Sequence, residues 1–184
     1  MLLDPSQVAL AAELGRALSA RGLRVAAAES CTGGLVAAAI TAIAGSSAWF
    51  ERGFVTYSNE AKQGMLDVPT ATLAQFGAVS EPVALAMARG ARRHSLAQCA
   101  LAVTGVAGPG GGTAAKPVGM VCFGWVLDGV PERAMTFQFD GDRAAVRARS
   151  VTVALRVLLE MIEGLPGLDG QGVGHSAPPP QRSD

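Results

Sequence analysis

The chain has no surplus of charge of either sign: across 184 residues, 15 Lys and Arg stand against 15 Asp and Glu. Sequence-independent binding to nucleic acid needs a basic stripe that displaces counterions, and no segment supplies one. Arg89–His94 holds three arginines, but their helical spacing reads as a solvated face. Long apolar runs are missing as well. The longest nearly apolar stretch, 33–44, falls far short of the roughly 20 residues that span a bilayer. The first residues carry an acid and a proline rather than a basic leader, so a cytoplasmic protein is expected. The three cysteines, Cys31, Cys99 and Cys122, have neither the number nor the spacing of a disulfide framework or a zinc site. No metal and no cofactor is expected. Histidine is scarce too: His94 closes a charged helix and His175 lies in the tail, so a Ser-His-Asp triad lacks its base.

What is present is apolar and regularly patterned, 49% hydrophobic, enough to bury one core. Asp4-Pro5-Ser6-Gln7 reads as a capped helix start, with Val8, Ala11, Leu14 and Leu18 on one face and Gly22 at its end. Strands are predicted over 24–28, 50–58, 99–104, 118–127 and 133–139, and helices over 34–43, 59–66, 70–76, 81–94 and 140–162. Asp128-Gly129 predicts a hairpin between the last two strands. The pattern implies a three-layer α/β/α sandwich around a mixed, mostly parallel sheet of about five strands. The domain is expected to occupy 1–163. From 164 to 184 nine of 21 residues are Gly or Pro, and that tail is expected to be disordered.

Ligands of such sheets gather outside the carboxyl ends of the strands, where three polar segments should converge: 29–34, 57–62 and 104–112. In "AESCTGG" (27–33) Ser30 is either a nucleophile or the cap of the following helix, whose first amides near Gly33 could hold an anion. Cys31, its neighbour, should face the other way and pack. Of the 15 basic residues only Lys62 and Lys116 are lysine. Arginine cannot accept a proton at neutral pH, whereas a desolvated lysine can, so Lys62 is a candidate base, with a surface lysine as the alternative. A lysine with its ordinary pKa is neutral in only about one molecule in 2,500 at pH 7, and lowering that pKa to about 7 costs roughly 4–5 kcal/mol. Tyr57, the one tyrosine, either relays a proton between Ser30 and Lys62 or packs. "TGVAGPGGG" (104–112) has the composition of a phosphate cradle without being a P-loop, and a flexible turn fits equally. Arg143 in "DGDR" is a partner for a phosphate or carboxylate, or else pairs with Asp140 or Asp142.

Together, "AESCTGGLVAAAITAIAGSSAWFERGFVTYSNEAK", "GAVSEPVALAMA", "AVTGVAGPGGGTAAKPVG" and "FDGDRAAVR" resemble the CinA C-terminal domain family, from about Ser6 to Ile162. The resemblance implies hydrolysis of the carboxamide of nicotinamide mononucleotide to nicotinate mononucleotide and ammonia, in pyridine-nucleotide salvage. It implies Ser30 as nucleophile, Tyr57 as proton relay and Lys62 as general base. Thr104, Gly105, Ala107 and Gly108 are implied to line the substrate site, with Arg143 near the nucleotide. Amides near Gly33 or Ser46-Ser47 are expected to hold the oxyanion. A non-catalytic nucleotide-binding module, or an amidase for another small carboxamide, are the alternatives. A homodimer acting on a small molecule, away from nucleic acid and membrane, is the expected setting.

Overall fold

The computed structural model describes residues 4–166; the expected tail lies largely outside them. The chain runs α1 (Pro5–Ala20), β1 (Val25–Glu29), α2 (Leu35–Thr41), β2 (Phe50–Val55), α3 (Asn59–Leu66), α4 (Thr70–Phe76), α5 (Glu81–Arg93), β3 (Cys99–Gly105), β4 (Met120–Leu127), β5 (Val130–Gln138) and α6 (Arg143–Glu163). One sheet has the order β2-β1-β3-β4-β5, with β1 parallel to both β2 and β3, and both β3–β4 and β4–β5 antiparallel. Four strands therefore point one way and β4 opposes them. This is the mixed α/β/α sandwich expected from the sequence. The Asp128-Gly129 hairpin is present, with Gly129 at φ 76°, a left-handed value that favours glycine.

The two faces of the sheet are filled differently. Val25 and Ala27 of β1, with Cys99, Leu101 and Val103 of β3, face the layer of α1, α2 and α6 together with Phe123 and Trp125. Trp125 donates its indole N–H to the Ala154 carbonyl of α6 at 2.9 Å, which keeps its polar atom satisfied at depth. The alternate residues Ala26, Ala28, Ala100 and Ala102 face α5, with Leu66 of α3. That face is built of small side chains because α5 lies almost on the strands. A Cβ on Gly124 of β4 would sit 2.6 Å from the Ala84 backbone.

Some local readings shift. Asp4 caps α1 by accepting from the Ser6 amide, but Gln7 does not close a capping box: its buried amide donates to Ala148 of α6 at 2.7 Å. Val8 is half-buried, and the inner face of α1 is Gln7, Leu10, Ala11, Leu14 and Leu18. β2 ends at Val55 rather than 58. The Thr56 amide makes one more sheet bond, to the Glu29 carbonyl, and Ser58 then becomes the cap of α3. No helix among the described residues is long and apolar enough to cross a membrane.

Candidate active site

Strand alternation places the reactive groups. Since Ala26 and Ala28 face α5, two further residues along the chain Ser30 is on that same side, where α3 begins. The Ser58 hydroxyl accepts from the Ala61 amide and starts α3, so that Lys62, one turn in, points inward with Leu66. The Lys62 amine then lies 3.0 Å from the Ser30 hydroxyl and donates to the Thr56 carbonyl at 2.8 Å. Lys62 is 1% exposed. Burial pulls its pKa below the ordinary lysine value of 10.5. The lesser opposing influence, a charged Cys31, is absent at neutral pH, because burial pushes that thiol up to about 12. Cys31 sits in the α1/α2/α6 core.

Glu29, on the opposite side of the strand, explains the turn. Its buried carboxylate accepts from the amides of Gly34, Val36 and Ala37 at 2.9–3.0 Å. Glu29 caps α2, therefore, and Ser30 does not; its hydroxyl is left to Lys62. This also corrects the oxyanion expectation at Gly33. The amides of Gly34, Val36 and Ala37 are occupied by Glu29, that of Leu35 donates to the Thr32 carbonyl, and Gly33 itself donates to the Ser30 carbonyl. Ser46 and Ser47 are excluded by topology. They precede Phe50, which pairs with Val25 at the amino end of β1, the far edge of the sheet from Ser30.

Tyr57 does not stand between Ser30 and Lys62, which touch directly. It is 61% exposed, and its phenol oxygen accepts from Arg143 at 2.9 Å. Arg143 forms no ion pair with Asp140 or Asp142; its other Nη donates to the Gly108 carbonyl at 2.9 Å. It thereby joins the segment after β2 to the glycine-rich loop after β3. Ala107 and Gly108 line a pocket of about 620 Å³ with Pro109, Val118, Arg143 and Arg147. Thr104 and Gly105 have other work: the Thr104 hydroxyl donates to the Ala78 carbonyl, and Gly105 packs against β4, where a Cβ would be 2.8 Å from the Met120 carbonyl. Arg147 was missed by sequence reasoning. It donates to the Thr32 carbonyl at 2.8 Å, tying α6 to the turn after Ser30. Its signal was the four-residue interval from Arg143 in "DRAAVR", which places both on one face of a helix. Among the described residues no group of three or more His, Cys, Asp or Glu side chains is arranged to hold a metal ion.

Fold and site define a three-layer α/β/α protein with a half-buried serine against a buried lysine at the carboxyl edge of its sheet. The chain belongs to the CinA C-terminal domain family, which matches residues 7–162. It is 52% identical over 158 residues to the nicotinamide-nucleotide amidohydrolase PncC of Escherichia coli K12, covering 84% of this chain and 94% of that one. The protein of the same name from Enterobacter agglomerans is 54% identical over 152 residues, covering 82% and 92%. The crystal structure of the competence/damage inducible protein CihA from Agrobacterium tumefaciens superposes with a TM-score of 0.85 at 46% identity, covering 88% of this chain and 98% of that one.

Proposed function

We propose that this protein hydrolyses the carboxamide of nicotinamide mononucleotide to nicotinate mononucleotide and ammonia, in pyridine-nucleotide salvage, with Ser30 as nucleophile and Lys62 as general base. The names of the relatives supply the substrate. The observation that carries the mechanism is the 3.0 Å contact between a hydroxyl and a buried amine whose pKa is lowered by desolvation. An amine that donates one N–H to the Thr56 carbonyl has its orientation fixed, which lets its lone pair address the Ser30 O–H.

In this reading Ser30 Oγ attacks the amide carbon as its proton passes to Lys62. The tetrahedral adduct collapses, Lys62 returns the proton to the departing nitrogen, and ammonia leaves an ester on Ser30. Water, deprotonated in turn by Lys62, attacks the ester carbonyl and frees the carboxylate and the Ser30 hydroxyl. Proton transfer runs directly between Oγ and Nζ, while Tyr57 and Arg143 shape the rim. The test is ammonia release from nicotinamide mononucleotide by the wild type, Ser30→Ala and Lys62→Ala, each checked for an unchanged melting transition. Turnover in the wild type and its loss in both folded variants is expected. Full activity in either variant removes the mechanism, and an inactive wild type removes the substrate.

A further inference from the structure

Three hydroxyls stand side by side at the carboxyl edge of the sheet. β1 pairs with β2 as Glu29 to Val55 and with β3 as Glu29 to Val103. Both ladders run one bond further, from the Thr56 amide to the Glu29 carbonyl and from the Ser30 amide to the Val103 carbonyl. The next rung is therefore Thr56, Ser30 and Thr104, on neighbouring strands about 4.8 Å apart. Each lies two residues beyond a member of the face under α5, namely Phe54, Ala28 and Ala102, so the three side chains share that face. The outer two differ in one respect. The Thr104 hydroxyl donates to the Ala78 carbonyl, whereas the Thr56 hydroxyl is wholly buried with no partner among the described residues. Buried hydroxyls are normally paired, so one left open beside a proton-transfer pair points to a partner that arises during the reaction.

Lys62 is that partner. As a neutral amine it is held by the Thr56 carbonyl and the Ser30 hydroxyl. Once protonated it carries three N–H groups, and at 1% exposure it finds no solvent for the third. No carboxylate takes it either. Glu29 accepts from the α2 amides on the other side of β1, Glu60 of α3 is exposed, and Glu81 of α5 accepts from Thr136. The Cys31 thiol belongs to the other core, and the Tyr57 phenol is bound to Arg143. We infer that Thr56 is a positioning residue for the base: its hydroxyl accepts the third N–H of Lys62 while the amine carries the proton taken from Ser30, and holds the ammonium until that proton is handed on. This rests on the serine–lysine mechanism proposed above. The proton moves only between Ser30 Oγ, Lys62 Nζ and the leaving nitrogen, and Thr56 keeps its own.

The chain has two lysines, Lys62 and Lys116, so isotope-labelled lysine gives two side-chain NMR signals, assigned with Lys62→Met. Thr56→Val keeps the shape and removes the acceptor. In this variant Lys62 is expected to lose its proton about one pH unit lower than in the wild type, a tenfold loss of proton affinity. The limb of kcat/KM for ammonia release from nicotinamide mononucleotide should move down with it, with kcat about 10-fold lower and KM unchanged. Thr56→Ser should restore both. Because a methyl replaces an unpartnered hydroxyl, Thr56→Val should also melt about 2–4 °C higher while being the slower enzyme. An unmoved Lys62 titration overturns the inference, whatever happens to turnover, and reduces Thr56 to packing. A lower melting transition overturns it as well, since the hydroxyl then already had a partner. A moved titration together with a wild type that releases no ammonia rejects the nucleotide substrate and leaves the link between Thr56 and Lys62 standing.

Discussion

At the scale of single residues, the state of Lys62 follows from its surroundings. The amine has almost no solvent around it, and this desolvation disfavours its charged form and lowers its pKa, although a carbonyl and a hydroxyl lie within hydrogen-bond reach. Its pKa is lower folded than unfolded, so between the folded value and 10.5 the unfolded chain binds more protons. Stability must therefore rise with pH through that window. Urea unfolding across a pH series is expected to show this slope in the wild type and to lose it in Lys62→Met; the same slope in both would contradict the assignment. For activity, kcat/KM should climb as Lys62 deprotonates, on a limb below the ordinary lysine range. Lys62→Ala should cost on the order of 10³-fold. Glu29→Gln cannot accept from three amides at once, and a loss of about 1–3 kcal/mol in stability is expected, read by chemical denaturation. Lys62 was legible in the sequence because the chemistry demanded a proton acceptor and the chain offered few. The direct Ser30–Lys62 contact was not legible, since it depends on where α3 starts relative to β1, and without it Tyr57 was given the intervening place. Ser46 and Ser47 misled for the same reason: proximity in sequence to the turn hid a helix that carries them to the other edge of the sheet.

At the scale of elements, α5 governs how close α3 comes to the sheet. Gly90 of α5 abuts the end of α3 so tightly that a Cβ would fall 2.1 Å from the Leu66 carbonyl. Gly90→Ala should destabilise by about 2–3 kcal/mol and lower activity as well, because the helix displaced is the one that carries Lys62. Gly64, on the outer side of α3, has nothing within 4 Å of such a Cβ. Gly64→Ala should stabilise by about 0.5–1 kcal/mol, and thermal melting of the two variants side by side checks both signs. Helices α3 and α4 were readable to the residue, although Ser58, the cap of α3, reads from the sequence as part of the strand before it. The start of α6 was read three residues early because Asp142, rather than Asp140, is its cap. The choice between Ser30 and Glu29 as the cap of α2 was not readable, because both have oxygen acceptors and only the side of the strand separates them.

At the scale of the molecule, the two halves of the sandwich differ in what fills them. The α1/α2/α6 side holds Trp125, Phe123 and several leucines, while the other is largely alanine and valine under α3, α4 and α5. Less apolar surface is buried per residue on the second side. Native-state hydrogen exchange should accordingly find α3 and α4 opening at lower free energy than α1 and α6; equal protection would show the layers to be one cooperative unit. Sidedness has a further consequence. Glu29 and Ser30 are consecutive, yet one serves α2 and the other α3, on opposite sides of β1. Removing a single residue from β1 would exchange their sides, sending the carboxylate toward the amine and the hydroxyl toward the helix amides; removing two would return each to its own. Anyone transplanting this centre, or lengthening its strand, has to count in even numbers.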